Sequence, residues 1–241
     1  MVYCCTIFIE VIKFMWYYYL SILLFIVSAI ISFSVKHLFN KYSDEYVSSG
    51  LSGAEAAYRI LQSQGITDVR INAISGTLTD NYDPTNKVLN LSSDVYNSRS
   101  VSAVAVAAHE CGHAIQDYEH YTLLNLRKSI VPITNISSRL SYIAILLGII
   151  MEMSGLVTFG AILFSAIVIF NLITLPVEVD ASSRAMVLTR ELGIFTDEDE
   201  YQDGKKVLIA AGLTYFIALL SSILQLVRLL SMANSSKRRD R

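Results

Sequence analysis

Charge is scarce in this chain of 241 residues. Asp, Glu, Lys and Arg together make up 17% of it, against about 25% in an ordinary soluble domain. Proline is scarcer still, with three residues, and glycine is limited to 11. Those counts exclude a disordered or collagen-like chain. A formal net charge of −2 gives no pull toward nucleic acid or another polyanion. Three cysteines exclude a disulfide framework. Cys4 and Cys5 read as packing residues or palmitoylation sites beside the first apolar run.

What is abundant is hydrophobic sequence, 53% of the residues, and it is clustered. Residues 14–35, 156–177 and 207–227 contain no charge. Each run reaches the roughly 20 residues that a helix needs to cross a hydrocarbon core of about 30 Å. A fourth apolar stretch, residues 140–151, lies between Arg139 and Glu152. It reads as a short or tilted span, the first arm of a hairpin with the run that follows. The first run is too long for a cleaved leader and lacks a small-residue cleavage site, so it reads as a retained anchor. Lys13 and Trp16-Tyr17-Tyr18-Tyr19 suit an interfacial entry. The tail, basic at Lys237, Arg238, Arg239 and Arg241, suits an orientation signal or a headgroup contact. No internal repeat is visible.

The polar residues between the runs carry secondary-structure signals. Ser52 and Glu55 have capping-box spacing ahead of a helix that stops near Gly65. Residues 68–74 alternate as a half-buried strand does, residues 77–82 read as a second strand, and residues 87–91 return after the turn at Asp83-Pro84. Ser98 or Ser100 caps the next helix, whose first half is small and apolar.

That helix ends in His109-Glu110-Cys111-Gly112-His113, an HExxH motif. Residues four apart share a helix face, so both imidazoles reach one metal ion, and imidazole is a good zinc ligand. Glu110, beside the first ligand, is placed to take a proton from a zinc-activated water. Random placement of the four His and the Glu residues of this chain would produce the pattern only ~0.003 times. Cys111, between the two ligands, reads as a buried, inert thiol. Gly112 suits a close backbone approach. Catalytic zinc needs a third protein ligand. His120, seven residues after His113, does not have metzincin spacing, and His37 lies at a membrane boundary. Two carboxylates close the third apolar run: Glu178 is the first candidate and Asp180 the second, or else a group that orients a ligating imidazole. Pro176 marks a membrane exit or the first turn of a new helix. Tyr82, Tyr118, His120 and Arg184 are candidates for stabilising an oxyanion, and residues 77–82 for the sheet edge that receives a substrate strand.

At this point the sequence resembles the YugP-like neutral zinc metallopeptidases of bacterial membranes. The stretches that carry the resemblance are SSGLSGAE (48–55), LTDNYDP (78–84), VAAHECGHAIQ (106–116) and LPVEVDAS (175–182), with AGLTY (211–215) and LQLVR (224–228). The resemblance covers nearly everything from Lys36 onward. It implies a mainly α integral membrane protein with about four transmembrane helices and a compact zincin-like α+β unit, similar in layout to the HtpX and CAAX-type proteases. It implies a zinc ion (Zn2+) held by His109, His113 and a later Glu, which Glu178 matches, with Glu110 as the catalytic base. Cys111 and Asn81 depart from the family pattern, where an aliphatic residue and a His are frequent.

The resulting organisation is an anchor (1–35), a catalytic region (36–139), a transmembrane hairpin (140–177), a second catalytic segment (178–206), and a last transmembrane helix with the basic tail (207–241). The expected activity is hydrolysis of peptide or membrane-protein substrates in the cell membrane. The alternative is a catalytically silent membrane scaffold or metal-binding regulator, for which Glu110 would be superfluous. Glu178 must lie on the side of the bilayer that holds His109. Lys and Arg counts near the span ends lean to the cytoplasmic face, and the basic tail argues for the other. Oligomeric state leaves no signal in the sequence.

Overall fold

The computed structural model describes residues 2–239, with side chains for residues 15–234. The expectations for Cys4, Cys5, Lys13 and the charges of the basic tail lie outside the described side chains. The elements in chain order are α1 (Val2–Lys41), α2 (Gly53–Ser63), β1 (Arg70–Ile74), β2 (Asn81–Asp83), β3 (Val88–Ser92), α3 (Ser93–Tyr96), α4 (Val101–Tyr118), α5 (Thr122–Ile150), α6 (Ser154–Glu191) and α7 (Glu198–Arg239). Four helices are long and apolar enough to cross a membrane: Met15–Lys41, Thr122–Ile150, Ser154–Glu191 and Glu198–Asn234. The protein is thus mainly helical, with a small sheet.

Two of these helices outrun their apolar sequence. The stretch 140–151 is only the last part of α5, which starts at Thr122 and passes through Arg127, Lys128 and Pro132. Hydropathy registers those residues as an interruption, whereas the helix is broken by none of the charges. Pro176 neither ends a helix nor begins one, because α6 is continuous through it. An interior proline removes one backbone hydrogen bond and costs about 3 kcal/mol. Burial of Val177, Ala181 and Ala185 on the following turns offsets that loss.

The chain packs as two compact units. One comprises Met1–Ile30, Arg127–Ile173 and Tyr215–Arg241. Among its described residues every regular element is helical, and its α5–α6 hairpin turns at Glu152, whose φ is +55°. Close packing there rests on a small residue: a Cβ on Gly160 would stand 3.1 Å from the backbone nitrogen of Ile145. Ser141 Oγ donates to the Gly160 carbonyl at 2.8 Å. Large apolar side chains such as Trp16 and Phe25 are exposed, as they are on a helix whose solvent is lipid.

The second unit comprises Ile31–Leu126 and Thr174–Thr214. Its sheet has the order β1-β3-β2. β2 and β3 form the antiparallel hairpin that the Asp83-Pro84 turn predicts, whereas β1 pairs with β3 in parallel. β2 is therefore an outer strand. α2 opens on a complete capping box: Ser52 Oγ accepts from the Glu55 N–H, and the Glu55 carboxylate accepts from the Ser52 N–H at 2.8 Å. Its last turn leads into Gly65 at φ +70°. Ser52→Ala is expected to lower unfolding stability by about 1 kcal/mol, measurable by chemical or thermal denaturation; an unchanged midpoint would rule out that share. α4 is capped by Ser100, which accepts from the Ala103 N–H. Its alanine-rich first half is buried against α2, with Ala56, Ala57 and Ile60 in the same core as Ala103, Val104, Ala107 and Cys111. The Cys111 thiol points at the Ala57 carbonyl, and burial pushes its pKa up, which leaves it protonated and unreactive.

Candidate metal centre

His109 and His113 lie one turn apart on α4, so their rings emerge on one face, with centroids 4.8 Å apart. α6 runs past that face. Contact between the two helices is set by backbone, not side chains: a Cβ on Gly112 would collide with the Ala181 carbonyl oxygen and lie 2.9 Å from the carbonyl carbon. This approach brings Glu178, one turn before Ala181 on α6, against the two rings. Glu178 is 2% exposed. Its Oε2 lies 3.3 Å from His109 Nε2 and 3.4 Å from His113 Nε2, and the three ligand atoms lie within 4.8 Å of one another.

These spacings suit a zinc ion. Ligand atoms about 2.0–2.1 Å from a tetrahedral zinc stand ~3.3 Å apart along the tetrahedron's edges. Two imidazole nitrogens and one carboxylate oxygen form a donor set of the catalytic type, which leaves a fourth position open. Both far ring nitrogens are occupied. His109 Nδ1 lies 3.0 Å from Ser182 Oγ, and His113 Nδ1 lies 3.0 Å from Gln116 Oε1.

Glu110 follows His109 on α4 and is buried. Burial is the largest influence on it and raises its pKa above the ordinary glutamate range, against the opposing pull of His109 and His113. Burial also works against the His113 imidazolium, but Glu178 and Glu110 outweigh it, and its pKa stands above the ordinary histidine value. Asp80 is close enough to Glu110 to raise it slightly further. Asp80 itself accepts from the Ser92 N–H and hydroxyl at 2.7 and 3.0 Å.

Among the sequence candidates, the structure brings together His109, His113 and Glu178, with Glu110 alongside. Asp180 stands apart from the imidazoles; its Oδ2 accepts from Gln116 Nε2 at 2.8 Å and from Arg184 Nε at 2.7 Å. The four oxyanion candidates are engaged elsewhere or sit along the flank of α4. Tyr82 donates to Asp117 Oδ2 at 2.9 Å, and burial, then that carboxylate, raises its phenol pKa. Arg184 bridges Asp180 and Glu119. Tyr118 and His120 line, with Tyr82 and Asp117, a cleft of about 360 Å³. Gln116 and Ser182 are the polar partners that sequence reasoning did not single out. Gln116 had one available signal, its place three residues after a ligating-type His on the same helix face.

The chain matches known proteins at the level of family. A family model described as "Putative neutral zinc metallopeptidase" matches residues 17–234. The chain is 47% identical over 196 residues to "Putative membrane protease YugP" of Bacillus subtilis (strain 168), covering 81% of this chain and 87% of that protein. No solved structure matches.

Proposed function

Because the chain belongs to the neutral zinc metallopeptidase family, we propose that it is a membrane-embedded, zinc-dependent endopeptidase. The observation that carries this reading is the convergence of two imidazole Nε2 atoms on the buried Glu178 carboxylate, with the buried Glu110 on the same turn. His109, His113 and Glu178 hold the metal. When bound, zinc supplies Lewis acidity to the scissile carbonyl and acidifies water to near neutral pH.

The chain's own residues do the rest. The Glu110 carboxylate takes the proton of the attacking water and returns it to the leaving amine. Burial makes the carboxylate a stronger base toward that water's proton. A substrate segment in extended conformation fits the free side of the outer strand β2 by strand addition. Its backbone groups then supply the pairing, and substrates are peptides or proteins, membrane proteins included. Four helices long and apolar enough to cross a membrane support the multi-pass reading.

Metal exchange tests the reading. The protein purified in detergent is expected to carry one zinc per chain, to lose hydrolysis of a test protein on dialysis against a chelator, and to regain it with added zinc. Metal analysis and cleavage assays run in parallel check this. A chain without zinc or cleavage would favour the silent scaffold instead, and cleavage that survives chelation would overturn the zinc dependence.

A further inference from the structure

Gln116 is the most thoroughly tied polar side chain beside the three ligands, and it is fully buried. Its Nε2 lies 2.8 Å from the Val177 carbonyl oxygen and 2.8 Å from Asp180 Oδ2. A carbonyl and a carboxylate only accept, so the nitrogen end of the amide must face both. That orientation leaves Oε1, which also only accepts, 3.0 Å from His113 Nδ1. The proton of the neutral imidazole therefore belongs on Nδ1, and the lone pair of Nε2 is free on the side where Glu178 lies. Ser182 beside His109 exerts no such control, because a hydroxyl can donate or accept. The Asp180 carboxylate is in turn held by Arg184, which is anchored to Glu119 and stacked near the Tyr121 ring.

We propose that Gln116 is a positioning residue that fixes which ring nitrogen of His113 carries the proton, its own amide being oriented by Val177 and Asp180. The inference rests on the peptidase reading above, since it assigns a purpose to the freed Nε2. It also explains why an uncharged amide occupies a place where a carboxylate commonly orients a ligating imidazole. Only an amide satisfies two acceptors on one side and a ring N–H on the other.

Zinc affinity, measured by competition with a chromogenic chelator in detergent, tests the proposal without relying on turnover. Gln116→Leu keeps the volume and removes every polar contact, and is expected to bind zinc about 10–100-fold more weakly. Gln116→Glu retains an acceptor for His113 but sets a carboxylate against Asp180, and is expected to bind weakly too. In the metal-free wild type at alkaline pH, nitrogen-15 spectra of the labelled histidines are expected to place the proton of neutral His113 on Nδ1, a signature that a purely space-filling residue at 116 would not fix. Wild-type affinity in Gln116→Leu would overturn the proposal. Should that variant fail to fold, a neutral His113 that carries its proton on Nε2 in the wild type would overturn it equally. A wild-type chain that binds no zinc would instead remove the peptidase reading and this inference together.

Discussion

Glu110→Gln is expected to keep its zinc and to lose kcat/KM by about 10²–10⁴-fold, the share that a positioned general base contributes. The substitution preserves shape and leaves His109, His113 and Glu178 untouched, so metal content serves as the internal control. The buried amide cannot accept the proton of the attacking water or deliver one to the leaving amine. The wild type should also show an acid limb. Glu110 acts as a base only when ionised, so kcat/KM should fall as pH decreases through its titration. Steady-state rates of both proteins across a pH series test the two points together. A Glu110→Gln variant that cleaves as fast as the wild type would remove Glu110 from the chemistry.

Gly112→Ala should cost both stability and metal. Local helix propensity favours alanine by about 1 kcal/mol, so an exposed helix would gain from the change. Here the new methyl meets the Ala181 backbone, 2.9 Å from both the carbonyl carbon and the Cα. A flexible side chain could turn aside, but a helix backbone has to move as a body. Overpacking of this kind costs typically about 1–3 kcal/mol. The displacement also carries Glu178 away from His109 and His113, because the separation between α4 and α6 is set at this contact. Thermal unfolding and zinc content of the variant measure the two effects. A variant with the wild-type melting temperature and full zinc would show that the helices have room to adjust.

Much of the site is legible along the chain because its logic is local. HExxH needs only helical periodicity to place two imidazoles on one face, and capping chemistry at Ser52 and Ser100 marks helix starts through neighbours three residues away. Glu178 stands out because a carboxylate closing a long apolar run requires a partner. What is not legible depends on contacts between distant segments. The parallel pairing of β1 with β3 reverses no local signal, yet nothing in either strand announces it. Gln116 reads as an ordinary polar helix residue until Val177 and Asp180, more than sixty positions later, are seen to receive its amide. Tyr82 and Arg184 have the right chemistry for an oxyanion, but their polar ends are committed to Asp117, Asp180 and Glu119. Pro176 misleads because the loss of one hydrogen bond is small beside the packing of the turns around it.

The separation of the three ligands along the chain has a consequence in time. His109 and His113 leave the ribosome together, and Glu178 follows sixty-five positions after His113. At about 5–20 residues per second, the nascent chain spends several seconds with two imidazoles and no carboxylate to complete the set. During that interval α6 is incomplete, so the motif helix emerges without the residue that completes the set. The three-ligand set is thereby completed only once α6 has been made.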